Sequence, residues 1–158
     1  MGRAAVSGED KLLKLVEAEE PDENDYRLQE QVGFILRKAH QRHVSIFASR
    51  IADLTPPQFA ALAKLHDVGE TSQNQLGTLI AMDAATVKGV IDRLKARGLV
   101  DLTKHEVDKR RLLVNLTAEG RDAIERLIPL AHAITQETLA PLSAKEAATF
   151  MKLLSKLA

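Results

Sequence analysis

The chain has 158 residues, of which 45% are hydrophobic, and it holds 22 basic residues, 22 acidic residues and no cysteine. This length suits about one small domain and is short for a multidomain enzyme. The lack of cysteine excludes disulfides and thiol chemistry. The sequence has no basic-then-apolar leader and no apolar run long enough to cross a bilayer, so we expect a soluble cytoplasmic protein with no membrane partner.

The charges are unevenly distributed along the chain. Residues 1–30 hold nine acidic and four basic side chains, whereas residues 83–111 hold five acidic and eight basic ones. We expect residues 1–25 to form a polar, acidic N-terminal arm. The basic excess at residues 83–111 is a local patch through which a protein of zero net charge can attract an anionic partner.

The first predicted helix spans residues 26–53 and contains no proline. Its apolar positions recur at helical spacing, and they are Leu28, Val32, Ile35, Leu36, Ala39, Val44, Ile46, Phe47 and Ile51. Thr55 and Gln58 then form a capping signature around Pro56, which predicts a second helix running to about His66.

Two shorter helices are predicted next. Ser72 and Gln75 form a capping box for the first of them, whose apolar face consists of Leu76, Leu79 and Ile80. Asp83 can cap the second, and Gly98 stands where a left-handed residue ends a helix. The apolar stripe of this second helix is Val87, Val90, Ile91 and Leu94.

The opposite side of that second helix, here called the reading face, has only small, hydroxylated or charged side chains. It consists of Ala84, Ala85, Thr86, Lys88, Gly89, Asp92 and Lys95. Small residues near the start of a helix allow close approach to the DNA major groove, where hydroxyl and ammonium groups meet base edges and phosphates. The alternative is an ordinary solvated face, so a second signal is needed.

A basic hairpin supplies that second signal. Strands are predicted at residues 99–104 and 111–116, and the turn HEVDKRR between them places Lys109, Arg110 and Arg111 beside Asp108. A carboxylate at such a tip can hold a guanidinium in one rotamer for insertion into a narrow minor groove. The alternative is an edge hairpin kept soluble by its charge. Two short helices followed by a basic hairpin favour a winged helix-turn-helix, and we call this hairpin the wing.

Two further helices complete the prediction. One follows Thr117 and runs towards Glu137 with a bend at Pro129, and the other opens at the capping box of Ser143 and Glu146. Long helices on both sides of a DNA reader have more apolar surface than a monomer of this size can bury, so we expect a dimer with two readers. The predicted fold is therefore mainly α with a small β-hairpin wing. In it, residues 55–117 form the DNA-binding domain and residues 26–54 and 118–158 form the helical dimerisation region.

The sequence resembles the MarR family of bacterial transcription regulators. The resemblance rests on DRLKARGLV at residues 92–100 and DKRRLLVNLT at residues 108–117, and it extends from about Leu28 to Leu157. It implies a homodimer on double-stranded DNA with a pseudo-palindromic operator, wing roles for Asp108 and Arg110, and groove-facing roles near Thr86 and Lys88. The predicted DNA-binding residues are Ser72, Gln73, Asn74, Ala84, Ala85, Thr86, Lys88, Lys95, Asp108, Lys109, Arg110 and Arg111.

The chain is also similar to the MarR subgroup that controls aromatic-acid catabolism, through EQVGFILRKAHQRH and MDAATVKGVIDRL. This similarity implies a repressor released from its operator by an aromatic acid or its coenzyme A thioester, bound between the first helix and the DNA-reading region. Basic side chains there can pair with carboxylate or phosphate oxygens. The predicted ligand-binding residues are Arg37, Lys38, His40, Arg42, His43, Phe59, Leu62 and His132.

Two alternatives stay open at this point. One is a DNA-binding module without a small-molecule effector, and the other is a metal-responsive regulator that uses His40 and His43. The metal site is the weaker idea, because two imidazoles without cysteine or a nearby carboxylate bind metal poorly. We expect no metal and no other cofactor. No phosphate loop, nucleophile elbow or metal-binding His/Glu motif is present, so the sequence predicts no enzymatic activity.

Overall fold

The computed structural model describes residues 26–108 and 111–158. The predicted acidic arm at residues 1–25 and two predicted DNA-binding residues, Lys109 and Arg110, lie outside the described residues. The chain divides into two units, Met1–Lys38 and Ala39–Ala158.

The described residues are mainly helical. The helices are α1 (Val32–Arg50), α2 (Pro56–Val68), α3 (Gln73–Leu79), α4 (Ala84–Ala96), α5 (Ala118–Leu139) and α6 (Ala144–Leu154). The strands are β1 (Thr71–Ser72), β2 (Val100–Lys104) and β3 (Leu112–Leu116). The predicted mainly α fold with a small β wing is confirmed, and in the described ranges no helix combines the length and the hydropathy needed to cross a bilayer.

Helix α1 is shorter at both ends than the predicted helix at residues 26–53. Before it, Leu28–Glu30 forms a separate 3-10 helix, and Arg27 and Gln31 on either side have extended backbones. After it, Thr55 is extended, with φ −78° and ψ 158°. The residue before a proline is disfavoured in the helical region, so Pro56 prevents α1 from continuing directly into α2.

Side-chain caps set the starts of the later helices at the predicted positions. Thr55 and Ser143 each form a capping box with the residue three positions later. The hydroxyl of Ser72 accepts from the Gln75 N–H at 3.3 Å, and Asp83 accepts from the Thr86 N–H at 2.8 Å. Each bond satisfies a backbone donor that lacks a partner in the first helical turn. Helix α5 contains Pro129 and ends at Leu139, while the bend predicted at Pro129 stays a prediction.

The apolar stripe of α4 faces the core, as the sequence predicts. Val87 and Leu94 are completely buried, and Val90 and Ile91 are nearly so. The core residues around them come from α2, α3, β2, β3 and α5, and include Leu62, Leu65, Leu76, Val100, Val114 and Ile124. Burial of such side chains contributes about 1.5–3 kcal/mol each, so α4 is fixed by packing and its reading face is left outside.

The sheet has one strand more than the sequence predicted. Its order is β1-β3-β2, and the predicted hairpin is confirmed with Val100 opposite Leu116 and Lys104 opposite Leu112. The added strand β1 pairs Ser72 with Leu113. This pairing places the residue that caps α3 against the second strand of the wing.

A tight backbone joint connects the end of α4 to the start of α5. Gly98 has φ +71°, which lets the chain turn from α4 into β2 at little steric cost. The hydroxyl of Thr117 donates to the Gly98 carbonyl at 2.7 Å and accepts from the Gly120 N–H at 2.9 Å. Gly120 approaches so closely that an added Cβ would lie 1.9 Å from the carbonyl oxygen of Leu99.

Gly120→Ala should therefore destabilise the protein by about 1–3 kcal/mol, because backbone atoms must move to admit the methyl group. Gly89→Ala is the matched control, since an added Cβ there meets nothing within 4 Å. That control should be neutral or up to about 1 kcal/mol more stable, because alanine favours a helix interior. The measurement is urea unfolding followed by circular dichroism at one fixed protein concentration. Equal stability of Gly120→Ala and wild type would contradict the close joint.

Candidate nucleic-acid interface

The reading face of α4 is open to solvent. Ala84, Ala85, Thr86, Lys88, Asp92 and Lys95 are exposed and Gly89 is half-buried. The side chains in the first turn are small, so a DNA backbone or base edge can come close to the helix there. The predicted reading-face residues thus lie together on one surface.

Asp83 and Thr86 form a two-point contact at the start of this face. One carboxylate oxygen of Asp83 accepts from the Thr86 N–H at 2.8 Å, and the other accepts from the Thr86 hydroxyl at 2.8 Å. These two hydrogen bonds from Thr86 hold the pKa of the Asp83 carboxyl below its usual value, and the bond from the backbone N–H has the larger effect. The contact fixes the Thr86 side chain in one orientation.

Lys88 forms a second contact on the same face. Its ammonium lies 2.6 Å from a carboxylate oxygen of Asp92, one helical turn later, and both side chains are more than half exposed. An exposed ion pair of this kind contributes little to stability. In the structure, the pair places the Lys88 ammonium beside Asp92 on the reading face.

The start of α3 and the second wing strand surround a shallow depression of about 300 Å³. It is lined by Ser72, Gln73, Asn74, Arg111 and Leu112. Four of these five are predicted DNA-binding residues, which the pairing of β1 with β3 brings together. The depression therefore presents hydroxyl, amide and guanidinium groups. Such groups are common partners of phosphate oxygens.

His105 organises the described part of the wing turn, a role that the sequence analysis missed. Its Nδ1 accepts from the N–H groups of Val107 and Asp108, each at 3.2 Å. The strand ends are closed by a hydrogen bond from the His105 N–H to the Arg111 carbonyl at 2.9 Å. A histidine at the start of a predicted hairpin turn is a local signal for this role, because its imidazole can accept from backbone N–H groups two and three residues later. The orientation of Arg110 by Asp108 stays a prediction, because Arg110 lies outside the described residues.

The predicted ligand-binding residues have several different surroundings. In the first unit, the Arg37 guanidinium and the Lys38 ammonium lie 5.6 Å and 5.7 Å from the centre of the Phe34 ring. In the second unit, Leu62 is completely buried in the core. Phe59 packs edge-to-face on Phe47, with ring centres 5.9 Å apart. His40 and His132 are exposed.

Arg42 and His43, also predicted to bind the ligand, contact the last turn of α5. The Arg42 guanidinium donates to the carbonyls of Glu137 and Thr138 at 2.9 Å and 2.5 Å. His43 Nδ1 lies 3.0 Å from the Thr138 hydroxyl. A cation beside the last carbonyls of a helix satisfies acceptors that lack intrahelical partners. Both side chains therefore have a structural role, and a ligand role for them stays a prediction.

A cavity of about 310 Å³ lies in the second unit, and its lining includes none of the predicted ligand-binding residues. Its lining consists of Asp53, Leu54, Arg97, Leu99, Glu119, Ala123, Arg126 and Leu127. Arg97, at the end of α4, donates there to the Asp53 carbonyl. Within residues 26–108 and 111–158, no group of three or more histidine, aspartate or glutamate residues is arranged to hold a metal ion.

A helix-turn-helix with one buried and one exposed face, followed by an antiparallel hairpin, defines a winged helix-turn-helix protein. A profile of the MarR family matches residues 54–112. The chain is 41% identical over 138 residues to the HTH-type transcriptional repressor NicR of Pseudomonas putida. The aligned residues cover 86% of this chain and 87% of the relative. The chain belongs to the MarR family of transcriptional regulators, as its wing and reader motifs predicted.

Two solved structures support the same conclusion. A probable transcriptional regulator from Pseudomonas aeruginosa superposes with a TM-score of 0.82 at 49% identity, over 84% of this chain and 100% of that one. BpsR of Bordetella bronchiseptica superposes with a TM-score of 0.80 at 43% identity, over 84% and 96% of the two chains. The BpsR structure concerns the mechanism by which 6-hydroxynicotinic acid regulates the DNA binding of BpsR.

Proposed function

We propose that the protein is a homodimeric repressor that binds a pseudo-palindromic operator and is released from it by an aromatic acid. The observation that supports DNA binding most strongly is the exposed reading face of α4, whose other face is buried in the core. Residues 55–117 would form the DNA-binding domain, and residues 26–54 and 118–158 the dimerisation region. In this proposal Lys88 and Lys95 lie in the major groove, and Arg111, with Lys109 and Arg110, meets the flanking backbone and minor groove.

Unpartnered apolar side chains on α6 support a dimer. None of the residues of α6 is buried. The exposed large apolar side chains at this end of the chain are Phe150, Met151, Leu153 and Leu157. A group of exposed large apolar side chains within one short segment is typical of an interface. A second copy of the chain would cover it and would supply the second reader that a two-fold symmetric operator requires.

An aromatic acid is proposed as effector because BpsR, 43% identical, is described as regulated by 6-hydroxynicotinic acid. Within the first unit, Phe34, Arg37 and Lys38 offer an aromatic ring with two cations nearby. A guanidinium can bind a carboxylate through two parallel hydrogen bonds, so Arg37 is the proposed carboxylate partner. Arg42 is the weaker choice, because it already donates to α5.

Operator binding should depend strongly on salt, since phosphate contacts by basic side chains release counterions. A duplex is first obtained by selection from random sequence, and its binding is then followed by fluorescence anisotropy between about 50 and 200 mM salt, where six to ten phosphate contacts cost about 10³- to 10⁵-fold. Analytical ultracentrifugation of the complex should give two protein chains per duplex. Affinity for the selected duplex that does not change with salt would overturn the proposal.

Arg111→Ala should reduce the salt slope of the same titration by about one, as expected for one lost phosphate contact. Lys145→Ala is the matched control, because it removes the same charge from an exposed position at the start of α6, outside the proposed DNA-binding domain. An equal change of slope in both variants would mean that Arg111 acts only through net charge.

The effector proposal is tested by adding 6-hydroxynicotinic acid, hydroxycinnamic and benzoic acids, and the coenzyme A thioesters of the last two to the protein–operator complex. We expect a free acid to release the DNA with a saturable dose dependence. Arg37→Ala should raise the required concentration by about ten- to 100-fold, as for a lost hydrogen bond to a charged group. Arg27→Ala, another exposed arginine of the first unit, should change it little.

The other outcomes separate the remaining alternatives. Release by thioesters alone would identify the conjugate, and not the free acid, as the effector. Release by none of these compounds would favour a DNA-binding module without a small effector. Release by Zn²⁺ that His40→Ala abolishes would favour the metal-responsive regulator.

A further inference from the structure

Thr86 lies in the first turn of α4, where its side chain is exposed on the reading face. Its hydroxyl is nevertheless not free to rotate, because it contacts one carboxylate oxygen of Asp83 at 2.8 Å while its N–H contacts the other, also at 2.8 Å. Asp83 is itself held as the N-cap of α4. Both partners are thus fixed by the start of the helix.

The direction of the hydroxyl bond follows from elementary chemistry. An ionised carboxylate can only accept hydrogen bonds, so the Thr86 hydroxyl must be the donor. Two hydrogen bonds from Thr86 keep the pKa of Asp83 below its usual value, and the carboxylate is therefore ionised near neutral pH. A hydroxyl has one hydrogen, so the side that faces outward offers only lone pairs.

This polarity restricts what Thr86 can recognise. In the major groove, cytosine N4 and adenine N6 present donor amino groups, whereas guanine and thymine present acceptor oxygens. A freely rotating serine or threonine hydroxyl can contact either kind of base. A hydroxyl that only accepts is complementary to an amino group and is mismatched with guanine O6, thymine O4 or a phosphate oxygen.

We propose that Asp83 sets Thr86 as a hydrogen-bond acceptor that reads the exocyclic amino group of one cytosine or adenine in each operator half-site. Thr86 is then a specificity-determining residue, and Asp83 is a positioning residue that acts through it. Ala84 and Ala85, both small and exposed, leave room for the base edge to approach. The inference deepens the proposed function and rests on the reading face being the DNA-binding surface.

The test compares protein variants on operator duplexes in which each half-site base pair is replaced in turn. We expect wild type to prefer cytosine or adenine over guanine and thymine at one half-site position by about tenfold, as for one hydrogen bond and its mismatch. Thr86→Val keeps the shape but not the oxygen, and it should lose this preference. Thr86→Ser keeps the hydroxyl and the contact with Asp83, and it should retain the preference.

Asp83→Asn separates positioning from helix capping, because asparagine also caps a helix but its amide can donate to the Thr86 oxygen. This variant should keep its helix content and most of its operator affinity. Its preference for the amino-bearing base should fall, because the hydroxyl hydrogen is no longer committed to a carboxylate.

A base analogue isolates the contact itself. Replacing the read adenine by purine, or the read cytosine by its analogue without the N4 amino group, should weaken wild type about tenfold and leave Thr86→Val unaffected. The inference is overturned if the deletion weakens both proteins equally, or if Asp83→Asn keeps the full preference. If wild type binds sequence-specifically but Thr86→Val has the same base preference at every half-site position, this inference is refuted and the proposed function is not. Failure of wild type to bind any selected duplex would refute the proposed function as well.

Discussion

The backbone joint between the end of α4 and the start of α5 is the constraint on which the arrangement of the second unit depends. Gly120 lies against the Leu99 carbonyl so closely that a single methyl group would overlap it. Thr117 closes the same joint by donating to Gly98 and accepting from Gly120. These contacts leave little freedom between the two helices, because packed backbone elements shift as rigid bodies and do not deform continuously.

Two arginines on α1 extend this rigidity to the other end of α5. Arg50 forms two hydrogen bonds with the Glu137 carboxylate, at 2.5 Å and 2.7 Å, and Arg42 holds the carbonyls of the last turn. Helix α5 thus contacts the turn after α4 at its start and α1 at its end. In the proposed dimer, a change in the packing of these helices would alter the spacing of the two reading faces, and half-site spacing is what a dimeric reader must match.

In the proposed complex, the reading face would allow a protein of zero net charge to bind a polyanion. Its cations and carboxylates occur together, as in the pair of Lys88 with Asp92. Basic side chains supply affinity through phosphates, while fixed acceptors and donors supply selectivity among bases. The proposed DNA binding therefore depends more on the arrangement of charged and polar side chains on this face than on the net charge of the chain.

Local signals in the sequence predicted the fold well wherever a side-chain cap was present. Asp83 and Ser143 marked helix starts to the residue, because the side chain of each accepts a hydrogen bond from the backbone N–H three positions later. Helix α1 has no such cap signal in the sequence, and its predicted ends were wrong. Strand β1 was missed because two residues have no periodicity, and its pairing with β3 is a long-range contact.

The candidate site was predictable to a smaller extent. Helical periodicity alone separated the reading face of α4 from its buried face, and exposure of those residues agrees. Periodicity could not reveal that Arg42 contacts Thr138, 96 positions later. It also could not reveal that Leu62 is completely buried in the core, and the predicted ligand role of Leu62 stays a prediction. The surroundings of such side chains depend on contacts between segments that are distant in sequence, and a single sequence does not reveal those contacts.

In the proposed dimer, effector binding and operator binding are coupled through the helices around α4, and calorimetry of 6-hydroxynicotinic acid with free protein and with operator-saturated protein measures this coupling. Coupling predicts that operator weakens binding of the acid by at least about fivefold, the lower range of allosteric effects, and by the same factor as the acid weakens operator binding. Equal affinity of the acid for free and operator-bound protein would contradict the coupling.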